Sequence, residues 1–72
     1  MDIAYIIIEA DVSFKSFEGQ HYLQRVSYQT YKTDLSKKDR VKEILSKTTS
    51  YIRRNAYRVH FSQETIVYAS EQ

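Results

Sequence analysis

An uninterrupted apolar run, residues 3–8, lies near the start of the chain and predicts a first strand that continues to about Val12. Side chains alternate between the two faces of a strand, so one face would carry Ile3, Tyr5 and Ile7 and the other their even-numbered neighbours. Both faces of this strand are therefore apolar. Because the rest of the pattern predicts only one helix, which can cover one face, we expect a partner surface or a second copy of the chain to cover the other.

A second strand is predicted over residues 21–32, where apolar and polar positions alternate after the turn signal Glu18-Gly19. The first two strands would form a long antiparallel hairpin. One face of the second strand carries Tyr22, Val26 and Tyr28. Its opposite face carries Leu23, Arg25, Ser27 and Tyr31.

A single helix is predicted over residues 36–54. Ser36 is a suitable N-cap, and Asp39 three residues later gives an arrangement like a capping box. Asn55 would end the helix as a left-handed cap. The apolar stripe that would face the sheet recurs at three- and four-residue spacing. It consists of Val41, Ile44, Leu45, Thr48 and Ile52.

Two short strands are predicted after the helix, over residues 56–62 and 65–69, with a tight reversal at Gln63-Glu64. The face that would meet the helix is made by Tyr57, Val59 and Phe61. The opposite face is made by Arg58, His60 and Ser62. The predicted order is strand-strand-helix-strand-strand, which is an α+β domain with one helix packed on one face of an antiparallel sheet.

Residues 1–72 are expected to form a single domain, because a chain of 72 residues is near the lower size limit for independent folding. Cysteine is absent, so neither a disulfide nor a thiolate zinc site can support a small core, and packing or oligomerisation must stabilise it. Asp2 and the shortness of the apolar run argue against a signal peptide, and no stretch is long enough to cross a membrane. We therefore expect a cytoplasmic protein.

Charge is distributed unevenly along the chain, although the net charge is only +2. Residues 21–60 hold ten Lys or Arg side chains against three carboxylates. A local excess of this size can attract nucleic acid or an acidic protein face. It is also common on the solvated surface of an ordinary helix.

The sequence contains few residues whose type and spacing suit a catalytic site. His21 and His60 stand in predicted strands without metal-ligand spacing, and no glycine-rich phosphate loop or nucleophile elbow is present. The carboxylates of the helix are explained by capping and by its surface charge. The prediction is a protein that is not an enzyme and uses no metal or cofactor.

The better candidate is the basic and aromatic face of the sheet. We expect it to bind a partner through Tyr5, Arg25, Tyr31, Arg58 and His60, flanked by Arg53 and Arg54. Tyrosine and arginine are enriched in protein-binding hot spots, whereas aromatic rings beside arginine can also stack exposed bases. Tyrosine is equally a good strand residue, so a purely structural role stays open.

Four short features occur in order along the chain: Ala4-Tyr5-Ile6-Ile7 followed by Glu9, Glu18-Gly19 before the second strand, one helix after Leu35-Ser36, and Val67-Tyr68-Ala69-Ser70. With these features the chain resembles small phage-encoded anti-CRISPR proteins that act on the type I-F surveillance complex. The resemblance implies a non-enzymatic inhibitor that docks on the crRNA-bound backbone of the effector complex in the host cytoplasm and blocks target DNA. Because the basic residues lie elsewhere in this chain, the contact residues of that family are not carried over.

The sequence therefore predicts a phage-type inhibitor that binds a host protein or ribonucleoprotein complex and acts by steric and electrostatic occlusion. The apolar first strand would form the partner interface or a homodimer. The alternative is a small protein that binds single-stranded DNA or RNA through the same face. A third alternative is a small enzyme or a purely structural subunit.

Overall fold

The computed structural model describes residues 2–70 and contains three strands and two short helices. The strands are β1 (Ile3–Lys15), β2 (His21–Thr30) and β3 (Ala56–Tyr68), and the helices α1 (Lys37–Ser46) and α2 (Ser50–Asn55) lie between β2 and β3. The sheet is antiparallel with the order β2-β1-β3. The predicted α+β class is confirmed, whereas the order of elements is strand-strand-helix-helix-strand.

The central strand β1 provides most of the core. Its residues Ile6, Ile8, Ala10 and Val12 are each at most 2 % exposed. They face the helices and pack with Ile44 of α1, which is fully buried. We call this side of the sheet the covered face. The sequence pattern left open which face of the first strand the helix covers, and the structure assigns it to the even-numbered residues.

The predicted helix of residues 36–54 is wrong in its length, because the helix is interrupted at residues 47–49. Its predicted N-cap is confirmed, since the amide of Asp39 donates to the hydroxyl oxygen of Ser36 at 3.1 Å. At the interruption, Thr48 donates its hydroxyl to the carbonyl of Leu45, and Thr49 caps α2 by accepting from the amide of Ile52. Hydroxyl side chains that bond to nearby backbone groups compete with a continuous helix.

The predicted reversal at Gln63-Glu64 is also wrong. The chain continues as one strand of 13 residues, β3, which pairs with the equally long β1. Within residues 2–70, Gly19 (φ +87°) has the one positive φ, so neither the expected reversal nor a left-handed cap at Asn55 is formed. A long strand beside β1 satisfies more backbone groups than two short strands joined by a turn that lacks glycine.

Among the described residues, three register shifts interrupt the pairing of β1 with β3, and two of them change the orientation of side chains along β3. Ser62 is the extra residue between the pairs Glu9–Gln63 and Ala10–Phe61. The second shift lies at Tyr57, between the pairs of Ser13 and Phe14 with β3. An extra residue on one strand reverses which face the following side chains occupy. These shifts cannot be read from the alternation of apolar and polar residues.

The molecule is elongated, with principal dimensions of 54 × 18 × 17 Å. Its radius of gyration of 14.3 Å exceeds the roughly 11 Å of a compact domain of this length. β1 and β3 each span about 43 Å at 3.3 Å per residue, whereas α1 is only about 15 Å long. The helices therefore leave part of even the covered face open, and Ile66, which pairs with buried Ile6, is 45 % exposed.

A cluster of hydrogen bonds joins β2 to α1. One carboxylate oxygen of Glu43 accepts from the phenol of Tyr28 at 2.6 Å and from the guanidinium of Arg40 at 2.7 Å. Thr30 donates to the other carboxylate oxygen at 3.3 Å, and Arg40 also donates to the carbonyl of Lys32 at 2.7 Å. Because Arg40 and Thr30 are buried, this cluster fixes the position of α1 on the sheet.

The cluster shifts the pKa values of two of its members. Burial by itself would raise the pKa of the Glu43 carboxyl, but the hydrogen bonds from Tyr28 and Arg40 and the charge of Arg40 outweigh it. They lower this pKa below its ordinary value of 4.5. Burial, followed by the hydrogen bond to Glu43, raises the pKa of the Tyr28 phenol above its ordinary value of 10.0.

These shifts predict how stability depends on pH. Because the folded pKa of Glu43 is lowered, its contribution is complete above pH 4.5 and is lost as the pH falls through the folded value. The contribution of Tyr28 is complete below pH 10.0 and is lost as the pH rises through its raised folded value. We expect urea unfolding to show a loss of stability in acid that Glu43→Gln removes. The same loss in Glu43→Gln as in the wild type would contradict this, and Glu64→Gln, at an exposed carboxylate, is the matched control.

Candidate interaction surface

The side of the sheet that faces away from the helices has no element over it within residues 2–70. We call it the open face. Its central row comes from β1 and consists of Tyr5, Ile7, Glu9, Asp11 and Ser13. The β2 row consists of Leu23, Arg25, Ser27 and Gln29. The β3 row consists of Arg58, His60, Gln63, Thr65 and Val67.

One end of the open face is apolar. Tyr5 pairs with Val67, and both side chains are only partly buried, as is Ile7 in the next open-face position. Beyond a register shift, Ile3 and Tyr68 form the last pair and are about half exposed. We call Tyr5, Ile7 and Val67 the apolar patch. It presents aromatic and aliphatic side chains on a rigid sheet, which is the composition of a protein-binding surface.

The centre of the open face is polar and internally paired. Arg25 forms a salt bridge with Asp11 at 3.1 Å and donates to the hydroxyl of Ser62 at 3.0 Å. Ser62 in turn donates to the backbone carbonyl of Glu9 at 3.0 Å. The register shift at Ser62 places its hydroxyl between these groups. Arg25 is therefore held across all three strands, and its charge is balanced by its neighbour.

A shallow depression of about 200 Å³ lies towards the β1–β2 hairpin. It is lined by Asp11, Ser13, Leu23, Arg58 and His60. Leu23 is 70 % exposed although it is one of the larger apolar residues of β2. Next to this depression, the Nδ1 atom of His21 lies 2.8 Å from the phenol oxygen of Tyr57, and the two rings meet edge to face. The depression combines an apolar side chain with cationic and anionic groups.

Four of the sequence-predicted binding residues lie together on the open face: Tyr5, Arg25, Arg58 and His60. Tyr31 lies just beyond the end of β2 and is 75 % exposed. Arg53 and Arg54 belong to α2, which packs through Ile52 on the core, so they lie with the helices and not beside the open face.

Tyr57 was predicted to face the helix, and this is wrong. The register shift between Ser13 and Phe14 allows Ala56 to take the inward position, and Tyr57 turns towards His21, with more than half of its side chain exposed. Val59 and Phe61 pack against the core as predicted. Ile7 and Leu23 are members of the open face that sequence reasoning did not select. The sequence signal that could have identified them is their odd-numbered position in β1 and β2, which places them on the same face as Tyr5 and Arg25.

Two features are absent from the part of the chain that the structure describes. Residues 2–70 contain no group of three or more His, Cys, Asp or Glu side chains that could hold a metal ion. No helix in the same range is long and apolar enough to span a membrane.

Protein-family models, curated protein sequences and solved structures were compared with the chain, and none of them matches it. The resemblance to anti-CRISPR proteins therefore stays a prediction.

Proposed function

We propose that this protein is a non-enzymatic inhibitor that binds a host macromolecular complex through the open face and occludes a surface that the complex needs. One observation carries the proposal: the apolar patch of Tyr5, Ile7 and Val67 has no covering element within residues 2–70. The apolar surface that these partly buried side chains still expose to water is stabilised when a partner covers it. Occlusion needs no catalytic group, only a surface that docks.

The size of the open face suits a stable complex. Two strands about 43 Å long and one about 33 Å long, spaced about 4.8 Å apart, give a projected area of roughly 570 Å². Typical stable interfaces bury about 800 Å² on each partner. The rings that border the open face, Tyr57 and Tyr68, are both more than half exposed and would add to the contact area.

The open face is also ordered before any partner binds. Its side chains stand on a hydrogen-bonded sheet, and Arg25 is already held by Asp11 and Ser62. A surface whose groups are fixed in advance loses less conformational entropy on binding. An apolar patch beside a polar, prearranged centre matches the anatomy of protein interfaces.

The class of target comes from the resemblance and is supported by charge. An anti-CRISPR-like inhibitor would bind a ribonucleoprotein complex of bacterial immunity. Outside the open face, the helix layer presents an exposed set of cations: Lys37, Lys38, Lys42, Lys47, Arg53 and Arg54. The exposed carboxylates in this layer are Asp34 and Asp39. A cationic layer behind the docking face would favour a complex that contains nucleic acid.

The alternative is direct binding of single-stranded nucleic acid by the open face. It has less support, because Arg25 is neutralised by Asp11 and because Glu9 lies in the next open-face position of β1. A nucleic-acid backbone along this row would bring its phosphates close to two carboxylates, which would repel them.

The test is inhibition of target-DNA binding by a purified type I-F surveillance complex. We expect the wild-type protein to prevent DNA binding and to stay bound to the complex as salt rises, because apolar contacts do not depend on counterion release. The double variant Ile7→Asp, Val67→Asp should lose both effects. Lys47→Glu, which changes the charge of the helix layer, is the control and should inhibit like the wild type.

Full inhibition by the Ile7→Asp, Val67→Asp variant would show that the open face is not the docking surface. Absence of any interaction between the wild-type protein and the complex would exclude this target. Binding to free single-stranded DNA that is weakened by Arg58→Ala and His60→Ala would instead favour the alternative.

A further inference from the structure

A second aromatic surface lies at the β1–β2 hairpin, on the covered side of the sheet. The ring of Phe14 stacks on Tyr22 with centroids 5.6 Å apart and meets the edge of Tyr51 at 6.4 Å. Tyr22 is 47 % and Tyr51 40 % exposed, so these rings are held by each other and still reach solvent. Together with Phe17 and Arg54, they form what we call the hairpin end.

Phe17 stands at the tip of the hairpin and is 87 % exposed. Its backbone is nevertheless fixed, because its amide donates to the phenol oxygen of Tyr51 at 3.1 Å. The turn itself is closed by two backbone hydrogen bonds, from Ser16 to Gln20 and from Gly19 to Ser16. Single exposed apolar residues are normal, but here the backbone that carries an exposed ring is tied to Tyr51, whose own ring is partly exposed.

One cation lies beside these rings. Arg54 follows Tyr51 by three residues in α2, and side chains at this spacing lie next to each other on a helix. Arg53, in the same helical turn, donates instead to the backbone carbonyl of Thr48 at 3.2 Å. Across residues 14–22 and 50–57 the sequence has one carboxylate, that of Glu18. The surface therefore combines flat apolar rings with a positive charge.

We propose that the hairpin end binds single-stranded nucleic acid, with bases stacking on Phe17 and Tyr22 and a phosphate contacting Arg54. Unpaired bases are flat and apolar on both sides, and each is linked to a negative charge, so a single strand matches both properties of the surface. This surface is separate from the open face, and its ligand does not depend on the function proposed for that face.

The test is direct binding of a fluorescent twelve-nucleotide oligo(dT), measured by anisotropy at low salt with the full chain. Phe17→Ala and Tyr22→Ala should each weaken binding about fivefold or more, because each removes a stacking ring. Arg54→Ala should weaken it and reduce its salt dependence. Tyr51→Phe keeps the ring but releases the tip, and we expect it to weaken binding as well.

Matched controls lie away from the hairpin. Tyr31→Ala removes a tyrosine that is 75 % exposed beyond the other end of β2, and Lys38→Ala removes a cation near the start of α1. Both should bind like the wild type, within about twofold. Because Phe17 is largely exposed, Phe17→Ala should keep the wild-type circular dichroism spectrum and unfolding midpoint.

Three results would overturn the proposal. The first is no detectable binding of the oligonucleotide by the wild type. The second is equal binding of a blunt duplex, which has no free bases to stack. The third is an equal loss of affinity in the Tyr31→Ala or Lys38→Ala control.

If Phe17→Ala instead weakened binding to a protein target while oligonucleotide binding was absent, the hairpin end would be a protein contact. The Ile7→Asp, Val67→Asp variant should keep oligonucleotide binding, so failure of one proposal does not imply failure of the other.

Discussion

Replacing Ile7 by aspartate should leave the domain folded and remove its association with a partner or with a second copy, whereas the same change at Ile6 should unfold it. The two residues are neighbours in β1 but lie on opposite faces of the sheet. Ile6 is 1 % exposed on the covered face, and Ile7 is only partly buried on the open face. Any unpaired carboxylate at position 6 would be enclosed by the core.

The size of the effect follows from the small stability of the domain. A chain of 72 residues is expected to be stable by roughly 4–11 kcal/mol. Burying a carboxylate without a partner and losing the isoleucine packing should cost about 4 kcal/mol or more at Ile6. At Ile7 the carboxylate can reach water, so the expected cost is about 1 kcal/mol.

Light scattering coupled to size exclusion, together with urea unfolding, measures both outcomes. If the wild type forms a homodimer through the open face, Ile7→Asp should be a folded monomer at low and at high salt. If the wild type is a monomer, the loss should be seen in binding to its target. An Ile7→Asp protein that keeps both its assembly state and its target would show that the apolar patch is not an interface. An Ile6→Asp protein with wild-type stability would contradict the assignment of the covered face.

Replacing Arg40 by methionine should destabilise the domain by about 3 kcal/mol, because breaking a buried ion pair leaves a charge without its partner. The side chain of Arg40 is 8 % and that of Glu43 14 % exposed, and their closest atoms are 2.7 Å apart. Methionine retains much of the length of the side chain, so the loss would reflect the pair and not a cavity. The value lies at the low end of the usual range, since Tyr28 and Thr30 continue to donate to Glu43.

Urea unfolding at pH 7 measures this loss, and Lys42→Met in the same helix is the matched control. Because Lys42 is exposed, its replacement should change the free energy of unfolding by no more than about 0.5 kcal/mol. The difference between the wild type and Arg40→Met should shrink below pH 4.5, as protonation of Glu43 removes the pair in the wild type as well. An Arg40→Met protein as stable as the wild type would show that the cluster does not fix α1.

Local signals predicted the beginning of the chain well. The alternation of residues in β1 and β2 correctly separated the covered face from the open face of the hairpin, and Glu18-Gly19 correctly marked its turn. Ser36 also caps a helix as predicted. These features depend on side chains within a few residues of each other, so a sequence pattern contains them.

The pattern failed at two places, one decided by a distant strand and the other by local hydroxyl hydrogen bonds that apolar periodicity does not represent. Gln63 and Glu64 look like a break between two strands, but β1 offers a continuous edge opposite them, and β3 runs through. At Thr48 and Thr49 the apolar stripe continues, yet the hydroxyl groups bond to the backbone and end α1. At Gln63-Glu64 the pairing with β1 outweighs the local turn signal. At Thr48-Thr49 the hydrogen bonds from side chain to backbone outweigh the apolar periodicity.

The candidate surfaces divide in the same way. The sequence by itself determined that the first strand has two apolar faces and that Arg58 and His60 lie opposite Val59 and Phe61, because strand alternation depends only on local backbone geometry. That Tyr5, Arg25, Arg58 and His60 share one side of the sheet follows from the pairing of the three strands. Only the tertiary structure decided which face stays open, that Arg25 is neutralised, and that Phe14, Phe17, Tyr22 and Tyr51 meet at the hairpin end. Those outcomes depend on register shifts and on contacts between residues more than thirty positions apart, such as Phe17 with Tyr51. Such contacts form, and stabilise the protein, only when the chain has folded.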